Sequence, residues 1–276
     1  MLISVIITTK NEELNIANCL ESVSEQSFPV GGMEIIVVDN NSTDRTKEII
    51  RGFITRLAPL NMKLFNGGPE RSAQRNFGIK NAEGKYILYL DADMTISPNL
   101  IEECFNKMEN NLNIVALYIP EVISGKSFWN KVRNFERSFY DGTVIDVVRF
   151  VCKDCFEKVG GFNESLTGPE DWDFDKKIKK LGKTEITKNP LYHHEENFRL
   201  KDYLKKKAYY GQYFGKYIAK WGKKDPDIEK QFGFYYRFVG VFVENGKWKK
   251  LLRHPILMAG VFFLRFLVGA SYLMRK

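Results

Sequence analysis

Ile3-Ser4-Val5-Ile6-Ile7-Thr8-Thr9-Lys10-Asn11-Glu12 is answered downstream by Glu34-Ile35-Ile36-Val37-Val38-Asp39-Asn40-Asn41-Ser42-Thr43-Asp44. Each is a short β-branched run that gives way to a polar cluster, so Ile3–Thr8 and Glu34–Val38 are expected as buried strands. The stretch between them carries Leu14, Ala17, Leu20 and Val23 at helical spacing. That is a βαβ unit, which requires a parallel pair and a crossover helix.

The pattern continues outward. Ser42-Thr43-Asp44 offers an N-cap to a helix whose Thr46, Ile49, Ile50, Phe53 and Leu57 repeat at three- and four-residue steps. Strands are expected at Met62–Phe65, Tyr86–Leu90, Ile114–Ile119 and Val147–Val151. Helices are expected at Arg71–Asn81, after Ser97-Pro98 with Glu102 and Glu103 complementing the dipole, at Ser127–Tyr140 and at Glu170–Leu181. Alternating strands and helices define an α/β fold with a mostly parallel sheet covered on both faces.

The chain has 276 residues, 44% of them apolar, enough for a large core with an appendage. Four scattered cysteines and no secretory signal before the first apolar run exclude a disulfide-stapled fold and imply a reducing, cytosol-facing location. Charge is uneven: from Arg199 to Lys276 there are 18 Lys and Arg against 5 Asp and Glu, whereas 24 face 29 before that point. This basic, aromatic-rich tail suits an anionic lipid surface better than nucleic acid, because Pro255–Met274 is a long apolar run with one charge, Arg265. Such a run is long enough to span a bilayer or to lie in its interface; a buried soluble helix is the third reading. Arg199–Trp221 is expected as one amphipathic helix with a broad aromatic face.

In an open parallel sheet the ligand crevice lies beyond the carboxyl ends of the strands. Thr8-Thr9-Lys10-Asn11-Glu12, Asp39 to Asp44 and Asp91-Ala92-Asp93 all fall there. A Gly-x-Gly-x-x-Gly turn is absent from Thr8–Asn15, which removes dinucleotide binding, and a P-loop fails for the same reason. Any phosphate must then be held by side chains and metal. Alone, an Asp-x-Asp is more often a solvated loop than a cation site.

The sequence resembles the large inverting GT-A glycosyltransferase family that includes polyprenyl-phosphate sugar synthases and cellulose-synthase-like enzymes. The matching pieces, in order, are Val5 to Glu12, Ile36 to Asp44, Arg71-Ser72-Ala73-Gln74-Arg75-Asn76-Phe77-Gly78, Tyr89-Leu90-Asp91-Ala92-Asp93, Gly160-Gly161-Phe162 and Glu170-Asp171-Trp172-Asp173. Each is weak alone, and six in order are specific. The resemblance implies a GT-A catalytic domain over 1–197 and a basic, helical, membrane-associating region over 198–276. It implies Thr9, Glu12 and Asp39 on the base and ribose of a nucleotide-sugar donor (UDP- or GDP-linked), Asp91 and Asp93 on Mn²⁺ or Mg²⁺ and diphosphate, and Arg71 and Arg75 steadying the donor. Asp171 is implied as the general base, and His193, or else His194, as a third metal ligand, the alternative being a hydrogen-bonded or exposed pair of histidines. The alternatives are a helix or turn cap for Asp39, a helix N-terminal cap for Asp171 and a surface role for the arginines.

The Gln-x-x-Arg-Trp of processive synthases is missing at Gln212-Tyr213-Phe214-Gly215, so transfer of a single sugar is expected. The acceptor would be a hydroxyl of a lipid-linked glycan, at the cytoplasmic face of a membrane. Alternatives are a polyprenyl-phosphate sugar synthase, a catalytically silent sugar-nucleotide binding module at a membrane, or, on fold alone, a nucleotidyltransferase. Cys152-x-x-Cys155 has no second pair and is read as coincidence.

Overall fold

The structure is a computed structural model that describes residues 1–57, 60–196 and 198–273. Among them the strands are β1 (Ile3–Thr9), β2 (Met33–Asp39), β3 (Asn61–Asn66), β4 (Tyr86–Asp91), β5 (Met94–Ile96), β6 (Ile114–Tyr118), β7 (Glu121–Ser124), β8 (Val148–Cys152), β9 (Lys183–Ile186) and β10 (Leu191–His194). The helices are α1 (Ile16–Ser24), α2 (Thr46–Arg56), α3 (Arg71–Lys80), α4 (Leu100–Asn110), α5 (Phe128–Arg137), α6 (Lys153–Lys158) and α7 (Glu170–Ile178). They continue with α8 (Leu200–Gly211), α9 (Phe214–Trp221), α10 (Pro226–Phe232), α11 (Val241–Val243), α12 (Trp248–Arg253) and α13 (Pro255–Leu273).

The chain forms two compact units, Met1–Pro120 with Val147–His194, and Glu121–Asp146 with Glu195–Lys276. The first holds a seven-stranded sheet in the order β3-β2-β1-β4-β8-β6-β9. β1 is parallel to β2 and β4, β2 to β3, and β6 to β9, while β8 runs antiparallel to β4 and β6. Strand alternation sorts the core. Val5, Ile7, Ile35 and Val37 pack with Leu20, Ile50 and Ile101 on one face, and Ile6, Ile36 and Val38 pack with Ile79, Phe174 and Ile178 on the other. Helices therefore cover both faces, as the near-continuous apolar strands require.

Several expectations are corrected. Leu14 lies before α1 and is exposed; Ile16, Cys19, Leu20 and Val23 form the buried stripe. The helix expected from Ser97-Pro98 begins at Leu100, and Arg199–Trp221 is two helices rather than one. The expected boundary at residue 197 falls on a residue outside those described, as does Met274 at the end of the expected apolar run. The division itself differs, because 121–146, expected in the sheet domain, belongs to the second unit. There Phe139 of this segment packs on Phe242, with ring centroids 5.0 Å apart, and Glu136 pairs with Arg265. Periodicity shows which helix face is apolar, and not which body buries it.

Candidate active site at the strand ends

β1, β2 and β4 all end at one rim, where their polar successors interlock. Asn11 and Asn41 adopt positive φ (54° and 52°), a region that asparagine tolerates better than most residues. The two loops then bond each other: Asn11 N donates to Ser42 Oγ at 2.8 Å, Thr43 N to Asn11 Oδ1 at 2.8 Å, and Glu12 N to Thr46 Oγ1 at 2.8 Å. Asp39 is fully buried and caps this turn, accepting from Ser42 N at 2.8 Å and from the Ser42 hydroxyl. Glu12 accepts from Asn15 Nδ2 at 2.7 Å. Thr9 Oγ1 is buried and has no hydrogen-bond partner among the described residues.

α3 brings its arginines to the same rim because it packs closely on the sheet. A Cβ at Gly78 would sit 2.6 Å from Ile6 Cγ2, so only glycine lets the helix approach this far. Gln74 locks the depth, its amide donating to Val38 O at 2.7 Å and Thr9 O at 3.1 Å. Arg75 is then fully buried and bridges two carboxylates, Asp91 Oδ1 at 2.9 Å and Asp171 Oδ1 at 2.7 Å. Its guanidinium lies 4.9 Å from the Tyr89 ring centroid and 5.3 Å from that of Phe162. Phe162 is held there by Asn76, which accepts from Phe162 N at 2.9 Å and donates to Phe162 O at 3.0 Å, after Gly160 and Gly161 turn the chain at φ of 73° and 62°.

Arg71 forms a second, more exposed bridge, from Asp91 Oδ2 at 3.4 Å to Glu170 Oε1 at 3.3 Å. Thr8 Oγ1 donates to Asp91 Oδ1 at 3.0 Å. Against the upward push of burial, Arg75, then Arg71 and Arg149, hold Asp91 well below the usual carboxylate range. Glu170 behaves oppositely. Burial and then the charge of Asp171 push it up to about 7, and its Oε2 is buried with no hydrogen-bond partner among the described residues. Arg75 is the only hydrogen-bond donor to the Asp171 carboxylate among the described residues, which leaves Asp171 Oδ2 without one.

On the far side of the Asp-x-Asp, β5 and β10 pair antiparallel with Met94 opposite His193. That register sets His193 Nε2 3.0 Å from Asp93 Oδ2, while His194 N donates to Asp93 O at 2.9 Å. Asp93 Oδ1 is buried without a hydrogen-bond partner among the described residues. Carboxylate oxygen and imidazole nitrogen are suitable donors to Mn²⁺ or Mg²⁺, and an unclaimed buried carboxylate oxygen is an acceptor whose burial is costly unless something meets it. Among the described residues no three His, Cys, Asp or Glu side chains form a ready metal cluster.

The structure thus assembles Asp91, Asp171, Arg71 and Arg75 in one network and Asp93 with His193 beside it, while Asp39 and Glu12 stand in the interlocked loops. Sequence reading gave no role to Thr8, Gln74, Arg149 or Glu170. Arg149 could have been found, as the one charge inside the apolar strand Val148-Arg149-Phe150-Val151, where it is buried 5.7 Å from the Tyr89 ring centroid.

The fold and this rim define the GT-A class of α/β proteins. The sequence profile described as Glycosyl transferase family 2 matches residues 4–165, and the chain belongs to that family. It is similar to glycosyltransferase AglE of Haloferax volcanii, 41% identical over 33% of this chain and 30% of the relative. It is also similar to the poly(ribitol-phosphate) β-N-acetylglucosaminyltransferase TarS of Staphylococcus aureus, 31% identical over 46% of this chain and 22% of the relative. These matches span under a third of either relative. A Methanococcus voltae dolichyl N-acetyl-α-D-glucosaminyl phosphate 3-β-D-2,3-diacetamido-2,3-dideoxy-β-D-glucuronosyltransferase is 26% identical over 79% of this chain and 74% of the relative. Among solved structures, mannosyltransferase PcManGT from Pyrobaculum calidifontis, in complex with GDP-Man and Mn²⁺, aligns with a TM-score of 0.68 at 18% identity over 99% of this chain and 87% of the other. S. aureus TarS 1–349 with UDP-GlcNAc aligns at 0.61 and 17% identity, over 99% of this chain and 89% of the other.

Proposed function

We propose that this protein is an inverting, metal-dependent glycosyltransferase that moves one sugar from a nucleotide-sugar donor to a hydroxyl of a lipid-linked glycan at the cytoplasmic face of a membrane. The observation that carries the reading is Arg75, a buried guanidinium that couples Asp91 to Asp171 across the strand-end rim. In this reading Asp171, positioned by Arg75 through Oδ1, keeps Oδ2 for the acceptor proton. The acceptor oxygen bonds to the anomeric carbon, the bond from that carbon to the donor diphosphate breaks, the proton passes to Asp171, and the nucleoside diphosphate leaves.

Thr9, with its unclaimed hydroxyl, and Glu12 in the interlocked loops are suited to the base and ribose, and Asp39 would join them by giving up a bond to Ser42. Arg71, the more exposed arginine, is suited to the donor phosphates, whereas Arg75 acts as a positioning residue. Asp93 and His193 would hold Mn²⁺ or Mg²⁺, and Asp91 would join them by releasing Arg71, its longest contact at 3.4 Å. When bound, the cation neutralises charge on the departing diphosphate. UDP-GlcNAc and GDP-Man in the neighbours support a nucleotide-sugar donor, and the dolichyl-phosphate-linked name of the M. voltae relative supports a lipid-linked acceptor.

Membrane attachment is supported by α13, whose length and composition suffice to cross a bilayer. Its Ile256, Phe263 and Phe266 are exposed, while Val261, Leu264 and Arg265 are buried within the second unit. An exposed apolar face opposite a face packed on the protein favours a helix lying in the interface. The deciding experiment is Asp171→Asn, with donor titration beside a transfer assay. Retained donor binding with transfer reduced about 10²–10⁴-fold is expected of a general base. Near-normal transfer to a polyprenyl phosphate, which is already ionised, would instead favour the polyprenyl-phosphate sugar synthase reading.

A further inference from the structure

The second unit contains a cationic cluster that the strand-end chemistry does not use. Arg133 of α5, Lys207 of α8, Arg237 of the π-helical turn Tyr236–Gly240 and Arg265 of α13 gather around two tyrosine rings. Arg237 and Arg265 lie 5.9 and 5.7 Å from the Tyr140 ring centroid, and Arg133 and Lys207 lie 4.7 and 5.2 Å from that of Tyr203.

Among the described residues two carboxylates answer these four cations. Glu195 pairs with Arg133. Glu136 accepts from Arg265 Nε at 2.6 Å and from the Tyr140 hydroxyl at 2.6 Å, and Tyr140 in turn accepts from Arg265 Nη2 at 2.6 Å. Arg237 Nη1 and Arg265 Nη1 remain, both buried and both without a hydrogen-bond partner among the described residues. Arg265 is more than nine-tenths buried, at 7% exposure. Half-buried Lys207 has no carboxylate partner among the described residues, and burial and then Arg133 push it down to about 7. An excess of buried cationic donors is costly in a folded protein unless an anion meets it.

We propose that this cluster binds the phosphate of a lipid-borne acceptor, a polyprenyl phosphate or the phosphate of a polyprenyl-linked glycan. The shared chemistry is a phosphate oxyanion, which guanidinium and ammonium donors meet with charge-assisted hydrogen bonds. Its source is lipid because Arg265 sits on α13, the helix whose other face exposes Ile256, Phe263 and Phe266. In this proposal the isoprenoid chain lies on the apolar surface of α13, and its phosphate enters at the half-buried edge of the cluster formed by Lys207 and Arg237. The inference rests on the membrane-acceptor reading above and adds to it where the acceptor phosphate is held.

The test uses the full chain with zwitterionic phosphatidylcholine vesicles doped with polyprenyl phosphate, with vesicles carrying the same charge as phosphatidylglycerol, and with inorganic pyrophosphate as a soluble competitor. Binding is measured by co-flotation. The wild type should prefer the polyprenyl phosphate vesicles over the phosphatidylglycerol vesicles by about tenfold or more, the worth of one charge-assisted hydrogen bond. Lys207→Gln and Arg237→Gln should each remove that preference, Lys207→Arg should keep it, and Lys201→Gln, an exposed control, should leave it unchanged. Equal binding to both vesicle types, or a preference retained in both Gln variants, would overturn the proposal. Competition by pyrophosphate as strong as by the lipid would overturn its lipid source. Far-ultraviolet circular dichroism identifies a variant that fails to fold, in which case Lys207→Gln against Lys207→Arg decides. Because binding is read without turnover, a chain that binds but transfers no sugar would refute the function while sparing this site, and the converse result would refute the site alone.

Discussion

Replacing Arg75 with Gln should cost the sheet unit about 3 kcal/mol at pH 8, the lower end of what removal of one partner from a buried ion pair costs. The lower end applies because Asp91 keeps Arg71, at 3.4 Å, and Thr8, at 3.0 Å, whereas Asp171 loses its only hydrogen-bond donor among the described residues. The sign with pH follows from the depressed Asp91. Its contribution is present above the unfolded value of 3.8 and is lost as pH falls through the lower folded value. In the variant Asp91 takes up its proton more readily, so the gap between the proteins should close as pH drops below about 4. Trp172, next to Asp171, is the one tryptophan of the first unit; Trp129, Trp221 and Trp248 belong to the second. Urea unfolding followed by Trp172 fluorescence, with the other three replaced by Phe, therefore reports the right unit. A gap below about 1 kcal/mol at pH 8, or one that persists undiminished to pH 3, would refute the bridging role of Arg75.

Further outcomes are expected. Chelation of divalent cations should abolish sugar transfer, and Asp93→Ala should lower it by roughly 10²-fold or more while leaving the fold intact; full activity in chelator would remove the metal. Glu170, raised to about 7, binds its proton in the folded state across a range where the unfolded chain has released it. Stability should fall as pH rises from about 4.5 to 7, by at most about 1.4 kcal/mol per pH unit, and Glu170→Gln should flatten that slope in urea titrations. Arg265→Met leaves Glu136 buried without its guanidinium and should destabilise the second unit by about 3–5 kcal/mol, which thermal unfolding would show. Phe263→Glu with Phe266→Glu should release the protein from phosphatidylglycerol vesicles in a flotation assay, whereas Leu181→Glu, exposed on the first unit, should not.

The strand-and-helix order of the first unit was readable because it rests on local quantities. β-branched runs buried on both faces, and apolar residues at helical spacing, carry their signal within ten residues, and β1, β2, β4 and α3 lie within a residue of where periodicity puts them. The rim was readable too, since polar clusters that follow parallel strands must come together at one edge of the sheet. What Arg75 does was not. A helical arginine reads as surface until the close approach at Gly78 drives it 0% exposed beneath the rim, where it must find carboxylates or go unfolded. The pairing of His193 with Asp93 depended on the β5–β10 register, a contact between residues a hundred positions apart. The membership of 121–146 in the second unit, and the cations that collect there, were likewise invisible, because the sequence fixes each helix's apolar stripe while only tertiary packing chooses its partner.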